Sequence, residues 1–250
     1  VDYEYLISIH PDAVQTTLEM NNYISDEGRA QKKEYQDKLP GISLISLNAR
    51  EPENISRSIL IYGYLFDRDE EARKFASWHD GVYDKLKNIT DQIPEEDKPK
   101  VLFNSHKAGY AYTAGGSRYG QAVRLAGGRN LIDDVIKSDD PLYGRTNVEV
   151  EPEWVIKSNP DYIISSYLDS NSTAGFETDD VSGAQMTVDM ILNTKELMQV
   201  DAIKDKNVYY IDNYLVGGGG LNLVGAAFLG KLWHPDEFKD VDPMEILREY

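Results

Sequence analysis

Between Asp67 and Ile93 the chain reads DRDEEARKFASWHDGVYDKLKNITDQI, a run without proline in which Phe75, Val82, Leu86 and Ile89 recur at helical spacing. At about 1.5 Å per residue such a helix reaches roughly 35–40 Å, longer than one packed unit needs. It therefore predicts a bridge between two separately packed regions. On both sides, helical segments alternate with short aliphatic runs: ISLISL at 42–47, VLFN at 101–104, YIIS at 162–165 and VYYI at 208–211. That alternation predicts an α/β fold of two lobes with parallel-stranded sheets flanked by helices and joined by one long helix. The expected division is 1–66, 67–93 and 94–250.

Composition narrows the function. A net charge of -17, spread along 250 residues, opposes binding to nucleic acid, which needs a basic surface to neutralise phosphates. With no cysteine the chain has no disulfide, thiolate metal site or thiol nucleophile. No apolar run is long enough to cross a bilayer, and no basic and apolar leader opens the sequence. The sequence begins inside a helix cap without an initiator Met, which predicts a processed or shortened chain.

Two short stretches repeat each other. Residues 1–14, VDYEYLISIHPDAV, and 150–163, VEPEWVIKSNPDYI, share five identities: Val, Glu, Ile, Pro and Asp. Both read as a short helix with a Glu in its first turn, then Pro-Asp, then a strand. Acids favour first turns through the helix dipole, and Pro commonly follows a helix end. On punctuation alone, coincidence and duplication explain the repeat equally well.

Other motifs fail on spacing. His10, His79, His106 and His234 form no metal-ligand pair, and no metal site is expected. The segment Gly115-Gly116-Ser117-Arg118-Tyr119-Gly120 lacks the Lys of a phosphate loop and the closing Gly of a nucleophile elbow. Among the many acids no pair stands out for glycoside chemistry. Ligands of parallel sheets sit beyond the carboxyl ends of the strands. That rule nominates Asn48 and Arg50 after the first strand run. It nominates Ser105, His106, Tyr110 and Tyr112 after VLFN, Tyr167 and Asp169 after YIIS, and Asn213 and Tyr214 after VYYI. Aromatic and cationic side chains suit a large, flat or anionic small molecule.

The succession KPKVLF, YTAGGSRYGQAVRLAGGRNLIDD, VEPEWVIKSNPDYIIS, DAIKDKNVYYID and LGKLWHPDEFKDVDPMEILREY resembles the helical-backbone class of ABC-transporter substrate-binding proteins. These take up iron siderophores, haem and cobalamin. The resemblance covers about residues 1–14 and nearly all of 98–250. It implies ligand capture between two lobes, no enzymatic activity and no cofactor, and an extracytoplasmic place, periplasmic or at the cell surface and membrane-associated in the full-length protein. It also implies that Glu4 and Glu153 dock onto arginines of a membrane permease. The ligand residues it favours are His106, Tyr110, Tyr112, Arg118, Tyr167, Arg50 and Tyr214. Members of the class have a strand-helix-strand region before the first Glu. The N-terminal lobe is therefore expected to be incomplete, with an exposed sheet edge open to self-association. The alternative is a two-lobed α/β enzyme of chelatase or nitrogenase-like type, which predicts clustered His or Cys in the cleft.

Overall fold

The structure, a computed structural model, describes residues 2–16, 26–105, 109–169, 172–175 and 178–250. Asp2 opens the first helix, α1 (Tyr3–Ser8), by accepting a hydrogen bond from the Tyr5 amide at 2.9 Å, as an N-cap aspartate should. His10 then turns through φ 47°, and Pro11-Asp12 lead into β1 (Ala13–Gln15). After α2 (Asp26–Lys38), β2 (Ser43–Ile45) pairs with β1 in parallel, Ala13 opposite Ser43. A 3-10 turn at Pro52–Asn54 opens α3 (Ile55–Leu65).

The long helix α4 spans Asp69–Thr90, close to the extent its periodicity predicts. At its start Gly63 of α3 lies so near that an added Cβ would sit 2.3 Å from the Ala72 Cβ. Only a glycine permits this crossing. From Trp78 onward α4 packs on the core of the next unit, through Trp78, Val82, Tyr83, Leu86 and Ile89. Residues 94–250 thus share the helix with the first unit instead of standing clear of it.

That second unit holds four parallel strands in the order β5-β3-β7-β8: β3 (Lys100–Asn104), β5 (Arg129–Asn130), β7 (Tyr162–Ser165) and β8 (Val208–Tyr210). Both faces are covered, which is why VLFN and YIIS are apolar without alternation. Val101, Phe103 and Ile164 face one core with α4, α5 (Arg118–Leu125) and later helices. Leu102, Ile163 and Val208 face the other, which is closed by α6 (Pro152–Ser158), α7 (Ser182–Leu192) and α8 (Asp201–Lys204). The first core is completed by α9 (Tyr214–Gly217), α10 (Asn222–Trp233) and α11 (Pro243–Glu249). The chain end straps α4: Trp78 Nε1 donates to Glu249 at 3.3 Å, and the Trp78 and Tyr250 rings lie 5.6 Å apart. A two-residue antiparallel pair, β4 (Ala111–Tyr112) with β6 (Val148–Glu149), carried no periodic signal in the sequence. Strands this short show no alternation to read.

The buried face of α4 contains a titratable group. His79 is 1 % exposed and stacks between Phe75 and Tyr83, each 6.2 Å away. Ser56 Oγ donates to Asp80, so the His79 Nδ1–H donates to Ser56 Oγ at 3.1 Å, leaving Nε2 as a buried acceptor. Burial holds the imidazole below its ordinary pKa, against the opposing pull of Asp80. The unfolded chain therefore takes up the proton first. Stability is full above about pH 6.5 and falls as the pH drops toward the lower folded value. Urea unfolding at pH 7.5 and 5.5 should show a loss for the wild type that His79→Phe, which keeps the ring stack, largely escapes; equal losses in both proteins refute this reading.

Candidate functional site

Parallel strands covered on both faces leave their carboxyl ends open, and the loops there carry the polar and aromatic residues. Tyr110, Tyr112 and Tyr167 line one cavity at the ends of β3 and β7, together with Asn104, Ser165 and Thr187. Its volume is about 100 Å³; at roughly 30 Å³ per water that is space for a small group, not a whole chelate. Tyr112 is 3 % exposed and belongs to the core. Burial, reinforced by Tyr110, pushes its phenol far above the usual range, so it is a neutral wall. Tyr110 is raised by burial and then by Glu196 and Glu153. Tyr167 is fixed at its backbone: its amide donates to Ser165 Oγ at 3.2 Å and its carbonyl accepts from Thr187 Oγ1 at 3.1 Å.

A second group forms where α5 begins. Ser117 caps this helix, accepting from the Gly120 amide at 3.1 Å while its hydroxyl donates to the Ala114 carbonyl at 2.6 Å. Arg118 follows, its guanidinium 4.5 Å above the Tyr119 ring and donating to the Tyr119 hydroxyl at 3.1 Å. That hydroxyl donates to Asn213 Oδ1 at 2.7 Å. The turn before α5 is thereby joined to the loop after β8. Tyr119 was not distinguishable in the sequence from any half-buried aromatic. Tyr214, next to Asn213, is 73 % exposed.

The loop after β2 closes on the same region. Asn222, fully buried at the start of α10, donates to the Arg50 carbonyl at 2.9 Å. Its signal in the sequence is a lone amide in the apolar run GGLNLVGAAF. Between the loop after β2 and the second unit lies a polar cavity of about 310 Å³, lined by Asn48, Glu51 and Glu53 on one side and Gly116, Gln121 and Tyr143 on the other. His106 lies outside the described residues. Among the described residues no three His, Asp or Glu side chains are grouped so as to hold a metal ion.

The repeated stretch is repeated in space. Glu4 and Glu153 are exposed in the first turns of α1 and α6. Both helices end on a left-handed residue, His10 at φ 47° and Asn159 at φ 44°, each directly before Pro-Asp. Each Pro-Asp then enters a strand paired in parallel, β1 on β2 and β7 on β3. A left-handed residue after a helix is a common way to end it; the structure adds that it recurs at the matched position of both copies.

The sequence profile of the family described as periplasmic binding protein matches residues 1–215. No curated protein matches by sequence. Among solved structures, the TroA-like periplasmic binding protein FepB from Veillonella parvula is 23 % identical with a TM-score of 0.72, covering 99 % of this chain and 70 % of that one. Helicobacter pylori CeuE with Ni(II) bound is 20 % identical with a TM-score of 0.72, covering 100 % of this chain and 70 % of that one. The periplasmic binding protein MolA from a Haemophilus influenzae ABC transporter, bound to molybdate, is 18 % identical with a TM-score of 0.72, covering 100 % of this chain and 74 % of that one. At these identities the likeness is one of fold.

The link from Arg118 through Tyr119 to Asn213 is testable without a ligand. Tyr119→Phe removes one hydroxyl that both accepts and donates, and should lower unfolding stability in urea by about 0.5–1.5 kcal/mol. Unchanged stability would show that the three residues do not act together.

Proposed function

The chain belongs to the periplasmic binding protein family, and from that premise we propose that it captures a metal-chelate ligand, a ferric siderophore, haem or cobalamin, between its two units for an ABC importer. It is a solute-binding protein and not an enzyme, which removes the chelatase reading. The observation that carries the ligand class is the convergence of Tyr110, Tyr112 and Tyr167 on one cavity at the strand ends, and with it goes Arg118, held over the Tyr119 ring at the start of α5, as the cation assigned to the ligand. Aromatic faces and a guanidinium recognise the organic shell of a chelate and its negative charge. The metal then arrives with its own ligands. Arg50, His106 and Tyr214 complete the set assigned to the ligand.

The cavity at β3 and β7 is too small for a chelate body, so in this reading it receives a substituent while the body lies between the units. The moving parts are residues 1–66 and 94–250, with 67–93 as the stiff connection. A helix in that role suits small domain movements. Titration calorimetry with a ferric catecholate, a ferric hydroxamate, haem and cobalamin should give saturable one-to-one binding for at least one of them. Arg118→Ala should weaken it about tenfold or more, since a hydrogen bond to a charged group contributes about 1.5–3 kcal/mol. Absence of binding to all four by folded protein rejects the ligand class.

Delivery rests on the spatial repeat. One exposed carboxylate per unit, Glu4 and Glu153, presents two matched charges to a two-fold permease, where charge complementarity fixes orientation. The family is extracytoplasmic, and membrane association through the transporter follows from this docking. Among the described residues β1 and β2 pair only with each other, and the open edge is the surface through which we expect self-association. Reversing both charges, Glu4→Lys with Glu153→Lys, should abolish uptake in a transport assay and leave ligand affinity unchanged; undiminished uptake removes the docking assignment.

A further inference from the structure

The glycine turn before α5 matches no phosphate loop, yet its backbone is held from several directions. The Gly115 amide donates to Asp133 at 3.0 Å, and the Gly115 carbonyl accepts from Arg124 at 2.6 Å. The Gly116 amide donates to the Tyr143 carbonyl at 2.9 Å. A Cβ on Gly115 would lie 2.2 Å from the Asp133 carboxylate, and one on Gly116 would lie 2.4 Å from the Tyr143 ring. These glycines serve close approach. The turn so fixed is the one that presents Arg118.

One side chain ties this turn to the other unit. Gln121 is 5 % exposed, and both ends of its amide are used. Its Oε1 accepts from the Glu53 amide at 3.2 Å, and its Nε2 donates to the Gly116 carbonyl at 3.1 Å. A backbone amide can only donate and a carbonyl can only accept, so this orientation is the one that satisfies both. Three residues before Glu53, the Arg50 carbonyl is held by the buried Asn222 amide. The segment from Arg50 to Glu53 is therefore pinned to the second unit by two buried carboxamides. Arg124 adds a looser contact, 3.4 Å to the Glu53 carboxylate, with both side chains partly exposed, a pair of small net strength.

We infer that Gln121 is a positioning residue: its buried amide sets the separation between the loop carrying Arg50 and the turn carrying Arg118, and with it the width of the cleft between the units. The inference rests on the capture reading for its purpose, but its geometry can be tested without any ligand. Gln121→Glu keeps the size and the acceptor for Glu53, yet at pH 8 it sets a carboxylate oxygen against the Gly116 carbonyl. When protonated it can donate there again. The charged groups sharing its cavities are Glu51 and Glu53 from the first unit, Arg124 on its own helix, Asp133 and Asp140 beyond the turn, Arg129 of β5, Lys87 of α4, and Asp91, Glu95 and Lys98 in the stretch that follows α4. Gln121→Leu removes both bonds at every pH.

Hydrogen exchange by mass spectrometry, each variant read against wild type at the same pH, separates the two. Gln121→Glu should exchange roughly tenfold faster over 50–54 and 114–118 at pH 8, a loss on the scale of one buried hydrogen bond, and return to near wild type at pH 5. Gln121→Leu should stay fast at both. Strand peptides 100–104 and 162–165 should not change. Wild-type exchange over 50–54 and 114–118 in both Gln121→Glu and Gln121→Leu at pH 8 overturns the inference. Titrating the wild type and Gln121→Leu at pH 8 with the ferric catecholate, the ferric hydroxamate, haem and cobalamin then tests the purpose: weaker binding by the variant of the one that the wild type takes supports it, and equal affinity overturns it. If the wild type binds none of the ferric catecholate, the ferric hydroxamate, haem and cobalamin, the capture reading fails while the exchange result still decides the positioning role.

Discussion

The sheet β5-β3-β7-β8 is buried on both faces, and everything else in the molecule follows from that burial. Strands covered by helices above and below can present function only at their ends. The covering helices take the aliphatic residues of β3, β7 and β8 into two cores. The loops that leave the carboxyl ends are then free to hold tyrosines, an arginine and amides. The exposure of these loops is thus a consequence of how the core is closed, and their residues are placed by backbone contacts, such as those of Tyr167 with Ser165 and Thr187.

The long helix α4 has two duties, which its composition reflects. Its first half crosses α3 at the glycine contact with Ala72, and from Trp78 onward it is a wall of the larger core. A helix committed to both units resists hinge bending, because bending would break core packing on one side or the other. Beyond the helix, the seam at residues 50–53 is joined to the second unit by hydrogen bonds with Asn222 and Gln121. Directional bonds fix a geometry at small energetic expense, since each contributes only about 0.5–1.5 kcal/mol net. A seam of this kind is firm in position and cheap to release.

Much of the architecture is legible in the sequence. The runs VLFN and YIIS carried the parallel strands, the Asp67–Ile93 periodicity carried α4, and the doubled Pro-Asp carried the equivalence of two helix-to-strand steps. What escaped were the pair of β4 with β6, too short to show a period, and residues whose role depends on a distant partner. Tyr119, Gln121, Arg124 and Asn222 are ordinary helical residues when read along the chain. Their partners lie far away in sequence: Asn213 for Tyr119, Glu53 for Gln121 and Arg124, and Arg50 for Asn222.

The sequence by itself determined the α/β class, the parallel strands and the approximate positions of the loops at their carboxyl ends, because periodicity, capping and turn chemistry are local properties of the chain. Only the tertiary structure decided which loops meet: that Tyr110, Tyr112 and Tyr167 share one cavity, that Arg118 is braced through Tyr119 to Asn213, and that a buried glutamine joins the two units. Those meetings depend on the relative placement of helices packed on a common core. Non-directional burial of apolar surface brings the elements together, and hydrogen bonds between residues far apart in sequence then select the final arrangement.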